Sequence, residues 1–262
     1  SWTGISYGSG YEGQGCVNDE MTNYYVEFMK KHIFAYLNPP ITSKVLPMYW
    51  YLGYNVYSKG VLEVGGVILA SWIVPIHENY DGLDYWCTCM FGEDNPSDPY
   101  LIPTDRALLD RRRKMILAPV LEKAVKAGNI IIPEEFEVGF DHVTNLIAGL
   151  GMEDDPNYYL TRGYPGSVNT YVFNSISEPA NNSYPPTNEE TFIGYMHLSM
   201  YYNQARLAEV YPADKYPFLT EKFAFVQKYL KDKYQIDLEA IANGPEDWDL
   251  PLPPIPETPD EE

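Results

Sequence analysis

The chain predicts an α+β fold: a small, aromatic-rich mixed sheet in the first half, packed with helices, of which two long ones close the sequence. Three observations carry this expectation. From Val45 to Val74 the residues are mostly β-branched and aromatic, punctuated by Gly53, Gly60 and Gly65-Gly66, which is the composition of strands joined by turns and bulges. Two segments after Thr187 repeat apolar residues at helical spacing. Finally, 262 residues with 45% hydrophobic side chains can bury one large core or two small ones. The organisation expected is one α+β domain over residues 1–244, with a candidate subdivision near residue 100, and an acidic, Pro-rich tail over 245–262.

Residues 1–18 are punctuated by glycine and read as irregular chain or an edge segment. Asp19 then caps a helix in which Met21, Tyr24, Tyr25, Phe28, Met29 and His32 recur at helical spacing, and Asn38-Pro-Pro40 stops it. After the β-rich stretch, residues 92–103 form a loop by their Pro, Asn and Asp content. Thr104 caps a second helix that Pro119 kinks or divides before the stop at Gly128. Ile130 to Ile132 reads as a short strand or buried turn, 139–151 as another short helix, and Val168 to Ile176 as one strand in a loop-rich region. Thr187 and Glu190 stand in capping-box relation, in which each side chain satisfies an orphan backbone donor. The helix they start runs to Pro212. Thr220 opens the last helix, with Phe223, Val226, Tyr229 and Leu230 on one face.

Acids outnumber bases by 37 to 18, and the net charge of −19 repels phosphate backbones and anionic membrane surfaces. Nucleic acid is therefore an unexpected partner. Seven of the acids, Glu246, Asp247, Asp249, Glu257, Asp260, Glu261 and Glu262, fall in the last stretch among Pro251, Pro253, Pro254, Pro256 and Pro259, a composition that favours an extended polyproline conformation. No apolar run reaches 18 residues, so no transmembrane helix is expected. The start at Ser1 in Gly/Ser/Tyr-rich sequence is what a processed, exported protein would show. Three cysteines, Cys16, Cys87 and Cys89, allow at most one disulfide, with Cys16 bridging either member of the pair.

The closing segment carries a resemblance. It reads Thr187-Asn-Glu-Glu-Thr-Phe192, then a long helix, then Lys222-Phe-Ala-Phe-Val226-Gln-Lys-Tyr229 and Ile236-Asp-Leu238. This resembles the C-terminal region of the zinc-binding metallopeptidase family of Bacteroidetes surface lipoproteins, over roughly the last quarter of the chain. The resemblance implies a zincin-like scaffold, a bacterial cell-surface or outer-membrane location, and an acidic residue near the family's metal centre at the positions of Glu189 and Glu190. The family's His-Glu-x-x-His helix is missing, because no two of His32, His77, His142 and His197 stand four apart. Turnover is therefore not expected.

The remaining chemistry is sparse. His77-Glu78-Asn-Tyr-Asp81 puts Asp where a zincin needs its second histidine, and its neighbours Pro75 and Gly82 mark a loop. Asp141-His142-Val-Thr-Asn145 offers a carboxylate, an imidazole and an amide, of which the amide is a poor zinc ligand. His77, His142 and Glu189 are thus weak metal candidates, and no cofactor is expected. Glu190 is explained by its cap alone, and His32 and His197 read as satisfied histidines at the edge of a core. The 24 tyrosines with Trp2, Trp50, Trp72, Trp86 and Trp248 suit either core filling or glycan and protein recognition. Trp72, Trp86, Tyr164 and Tyr184 are the candidate binding aromatics.

The leading expectation is a non-catalytic, exported accessory or binding protein of a bacterial surface nutrient-uptake assembly, with protein partners and a glycan or peptide ligand. Two alternatives remain: a structural subunit of a larger assembly, such as a surface fibre or virion, and a zinc hydrolase with an atypical ligand set around His77, His142 or His197.

Overall fold

A computed structural model of the protein describes residues 5–16, 19–75, 80–81, 84–89 and 106–247. Helices and small sheets combine in the α+β class that the sequence predicts. Trp2, the His77-Glu78 string, the loop at 92–103, the Thr104 cap and the tail beyond Asp247 lie outside the described residues. The chain divides into two compact units, one holding the residues up to Lys31 and from Pro47 to Arg112, the other His32–Leu46 and Arg113–Asp247.

The first unit is built on one long strand. Strands β1 (Ile5–Gly15), β2 (Tyr49–Val64), β3 (Val67–Pro75), β4 (Tyr80–Asp81) and β5 (Tyr85–Cys89) form a mixed sheet, and helix α1 (Asp19–Phe28) buries Met21, Tyr24, Tyr25 and Phe28. β1 pairs antiparallel with β2 over nearly its whole length, so residues 5–15 are an edge strand rather than irregular chain. The other edge of β2 is shared: β3 pairs antiparallel with Tyr57–Val64, and β5 pairs parallel with Tyr49–Gly53. Gly65 and Gly66 both have positive φ (60° and 82°), the geometry of a tight two-residue hairpin turn. A side chain at Gly60 would overlap the indole of Trp72, its cross-strand partner. Tyr25 donates its hydroxyl to the Thr88 carbonyl at 2.5 Å, which fastens α1 to β5.

Cys16 and Cys87 are free thiols, so the Cys16 bridge expected from the sequence is not made. Pairing explains why. Gly15 lies opposite Gly53, and Gly53 lies opposite Cys89 across the other edge. The cysteines are therefore two strand spacings apart, about 9–10 Å, beyond the reach of a disulfide.

The second unit contains α2 (Pro39–Thr42), α3 (Arg106–Lys126, from Arg113 onward), α4 (Glu134–Glu137), the short hairpin β6 (Ser167–Val168) and β7 (Ile176–Ser177), α5 (Asn188–Tyr201), α6 (Gln204–Val210), α7 (Pro217–Tyr234) and α8 (Leu238–Asn243). Asn38 ends one helical run and caps the next, accepting from the amide of Ile41. Pro119 does not divide α3, which runs on to Lys126 and buries most of its side chains from Met115 to Val125. The helix expected at 139–151 is absent. Gly139, Gly149 and Gly151 take positive φ, the Asp141 carboxylate accepts from the amides of Val143 and Thr144, and Leu146 and Ile147 make isolated bridges to Ser183 and Tyr158. Residues 168–176 give a hairpin rather than one strand. The helix beginning after Thr187 breaks at Tyr202, because Asn203 caps α6 through the amide of Arg206. α7 begins at Pro217 rather than Thr220, proline being well suited to a first turn.

α5 packs on α7 and α8, and two buried cations organise the space beneath. Arg113 is fully buried; its Nε donates to the Ile241 carbonyl at 2.9 Å, and its Nη1 lies 3.3 Å from His32 Nδ1. Lys222 is 3% exposed, and its Nζ donates to the Phe136 carbonyl at 2.8 Å. The rings of Phe136, Phe140, Phe218 and Phe225 surround that ammonium at 5.2–5.9 Å, a desolvated cation–π cage. Burial pulls the Lys222 pKa below its ordinary value. Lys222→Ala leaves a cavity between the rings and an unmet carbonyl, and is expected to cost roughly 2–4 kcal/mol in urea denaturation. A loss below about 1 kcal/mol would show that the cage does not hold α4 to α7.

Candidate functional site

The second unit contains a cleft of about 740 Å³, a size suited to a small organic ligand. One wall is α5, contributing Glu189, Glu190, Ile193, Gly194 and His197; another is the end of α3, with Glu122 and Lys126. The loop-rich segment supplies Tyr164 to Val168, Pro179 and Tyr184 to Pro186.

Local sequence places each of these groups. Thr187 Oγ1 accepts from the amide of Glu190 at 3.3 Å while Glu190 Oε2 accepts from the amide and hydroxyl of Thr187 at 2.7 and 2.9 Å. These bonds hold the Glu190 carboxyl below its ordinary pKa. With the start of α5 fixed, Glu189, Ile193 and His197 follow at four-residue intervals and share a face. Gly194 stands on the same wall, and a Cβ built there meets nothing within 4 Å. On α3 the same spacing sets Lys126 Nζ 2.6 Å from Glu122 Oε1. Gly166, at φ 79°, brings its backbone so close to the Ser177 carbonyl that a Cβ would lie 2.6 Å from it, which keeps the β6–β7 hairpin tight beside the cleft.

His197 is the unusual member. It is 9% exposed, and its Nε2 is buried without a hydrogen-bond partner. Glu122 Oε2 is 3.7 Å away, outside bonding distance. Burial drives the imidazole pKa down to about 4 against the opposing pull of Glu122, so the ring is neutral at neutral pH. The satisfied histidine expected at 197 is thus corrected: one ring nitrogen, Nε2, is buried without a hydrogen bond.

Behind the wall, His142 Nδ1 lies 2.7 Å from the Pro186 carbonyl. A carbonyl only accepts, so Nδ1 carries the proton. Nε2 of His142 is also buried and has no partner. Tyr164 is 2% exposed and donates to the Asp141 carbonyl at 2.9 Å, its hydroxyl 3.3 Å from His142 Nδ1. Asp141 is held well below the usual carboxylate range by the Thr144 hydroxyl and the Val143 and Thr144 amides.

Of the residues singled out from the sequence, Tyr164, Tyr184 and Glu189 come together on the cleft, with Glu190 and His197 beside them. Tyr184 stands at its rim, 83% exposed. Trp72 and Trp86 belong to the other unit: Trp72 is half exposed over Gly60, whereas Trp86 is buried at 3% and meets Trp50 edge to face at 5.3 Å. His77 lies outside the described residues. Among the described residues no group of three or more His, Cys, Asp or Glu side chains is placed to hold a metal ion. No described helix is long and apolar enough to cross a membrane. Glu122, Lys126 and Gly194 escape sequence reasoning; the i, i+4, i+8 stripe from Glu189 is the signal that points to the α5 wall where Gly194 stands, and no such signal marks Glu122 and Lys126 on α3. Comparison with family models, with curated proteins and with solved structures finds no match.

The buried imidazole makes stability depend on pH. Its pKa is near 6.5 in the unfolded chain and about 4 in the folded one. Between those values the unfolded state binds more protons, so the stabilisation is present above pH 6.5 and is lost as pH falls toward 4. His197→Gln is expected to flatten the stability profile across that window by on the order of 2–3 kcal/mol, read from urea midpoints at half-unit pH steps. A variant profile parallel to that of the parent would mean that the ring titrates normally.

Proposed function

We propose that the protein is a non-catalytic binding protein, exported to a bacterial surface and accessory to a nutrient-uptake assembly, and that the cleft between α3 and α5 holds its ligand. The observation that carries this reading is the cleft itself. Proteins close such spaces by packing, yet here Gly194 leaves one wall short, prolines stiffen another, and the buried Nε2 of His197 has no partner. A buried polar atom without a partner costs roughly 1–3 kcal/mol, a sign that this wall is not packed for stability alone. Tyr184 supplies a flat ring at the mouth, suited to a sugar face or a peptide side chain. The likeness of residues 187–238 to the C-terminal part of a metallopeptidase, without its His-Glu-x-x-His helix, fits a scaffold used for binding rather than turnover.

Gly194→Leu tests the assignment, because a Cβ there meets open space, the larger side chain takes up room in the cleft, and the change raises helix propensity. On glycan and peptide arrays, ligands retained by the parent protein are expected to be lost by this variant while its thermal midpoint is unchanged or higher. Ligands bound equally by both would place the site elsewhere. Stoichiometric zinc, found by native mass spectrometry of protein prepared without chelator, would overturn the non-catalytic reading in favour of a hydrolase.

One observation favours a second reading, a structural subunit of a larger assembly. On the β2–β3 hairpin, Val67, Ile68 and Leu69 are 61–62% exposed and Trp72 is 44% exposed, an apolar surface of the kind that subunit contacts cover. Sedimentation at rising concentration is expected to reveal association that Ile68→Lys abolishes. A monomer at every concentration would remove this reading.

A further inference from the structure

We infer that the partner of the β2–β3 hairpin is a second copy of this chain, joined edge to edge through β3 in antiparallel pairing about a twofold axis. The inference rests on the subunit reading of that hairpin and goes on to name the partner and the bonds that hold it. β3 pairs with β2 along one side, and among the described residues no strand pairs with its other side. Nor, among those residues, does any backbone bond outside the strands start or end between Val67 and Pro75. Such an edge presents a row of unmet amides and carbonyls, which natural proteins blunt with charges, proline or short length. β3 is 9 residues long, carries no charge and has its proline at the last position. One bulge interrupts it, where Glu63 and Leu62 face Ile68 and Ala70 and Leu69 is left over.

Exposure marks the same edge. Every residue from Val67 to Trp72 is exposed, although all but Ser71 are apolar. Trp72 is not loose: its indole lies so close over Gly60 that a Cβ there would stand 2.2 Å from the ring. An aromatic ring held in one position costs little entropy when it serves as an anchor. The exposed surface of Val67, Ile68, Leu69 and Trp72 is on the order of 400 Å² per copy. Two copies, with the backbone between them, reach on the order of 1,000 Å², the lower limit of a specific contact. Reversible, concentration-dependent association follows.

Charge selects a second copy as the occupant. Two bodies that each carry a net charge of −19 repel, and they meet at least cost where neither presents a carboxylate. From Val64 to Pro75 the sequence has no charged residue, so β3 laid against β3 brings no like charges opposite one another. Antiparallel pairing about a twofold axis makes each contact twice and closes at two copies.

Sedimentation of the full chain over a range of concentrations, joined to residue-resolved amide exchange, tests this. The expected species is a discrete dimer. Alternate amides of β3, those turned away from β2, are expected to slow at least about ten-fold where the dimer dominates. Ile68→Cys, Ala70→Cys and Ser71→Cys, each compared with the parent and its native thiols, locate the axis. Intermolecular disulfides are expected to form fastest at Ser71, in the middle of the strand, and slowest at Ile68. Amide exchange is read on the parent chain and needs no substitution.

Association that Ile68→Lys abolishes, but in which every β3 amide exchanges as in the monomer, overturns edge pairing and leaves the subunit reading standing. Equal disulfide rates at the three positions overturn the antiparallel arrangement. Growth beyond two copies overturns the twofold axis and points to a different edge, such as the outer side of β1. A monomer at every concentration overturns the inference and the subunit reading together, and leaves the edge to a strand from another protein.

Discussion

The reciprocal hydrogen bonds between Thr187 and Glu190 set the phase of α5, and much of the second unit depends on that phase. A helix whose first turn is pinned cannot slip by one residue without moving every side chain by about 100° around its axis. The pinned register sends Phe192, Tyr195, Met196 and Leu198 into the core, all fully buried. It sends Glu189, Ile193, Gly194 and His197 to the cleft. One local device thereby decides both the packing of α5 on α7 and α8 and the chemistry of the wall. The glutamate that a peptidase resemblance would place near a metal is, in this chain, the residue that makes the register.

Beneath α5 the core is unusual in holding cations as structural centres. Lys222 is tolerated because four phenylalanine faces and a backbone carbonyl replace its water. The arrangement links the segment from Phe136 to Phe140 with α7, and it leaves no room nearby: Gly139 and Gly163 both have positive φ, and a Cβ on either would come within 3.0 Å of the Phe218 ring. Tyr195 extends the same cluster, donating its hydroxyl to the Gly163 carbonyl at 2.6 Å. α5 and the loop that carries Tyr164 are thus held by one aromatic assembly, which lets irregular chain form a stable wall of the cleft.

Elements whose determinants lie within a few residues were legible in the sequence. The capping box, the β2–β3 hairpin at Gly65-Gly66 and the start of the first helix at Asp19 are of this kind. Legibility failed where a distant partner decides. Tyr85–Cys89 is a strand because it pairs parallel to Tyr49–Gly53, more than thirty residues earlier. Residues 139–151 have the spacing of a short helix, but the Asp141 side chain and bridges to Ser183 and Tyr158 claim their backbone. In the cleft, Tyr164, Tyr184 and Glu189 were visible as residue types, whereas Glu122 and Lys126 read as an ordinary exposed i, i+4 pair on a helix. Only the approach of α3 to α5 makes that pair one side of the cleft.

The α5 wall leaves the cleft hollow without being forced to. Filling it would require a larger residue at 194 or a partner for His197, and each change is sterically and chemically simple, since a Cβ at Gly194 meets open space and a hydroxyl-bearing neighbour would satisfy Nε2. Natural proteins leave such improvements unmade wherever stability already exceeds what function needs, so neither penalty by itself marks a function. A glycine in mid-helix costs roughly 1 kcal/mol against alanine, and a buried ring nitrogen without a partner costs more. Both penalties fall on the single wall where Glu189 and Glu190 also gather. Two penalties that coincide on one wall locate where the packing of the second unit stays incomplete, and it is there that the proposed binding cleft lies.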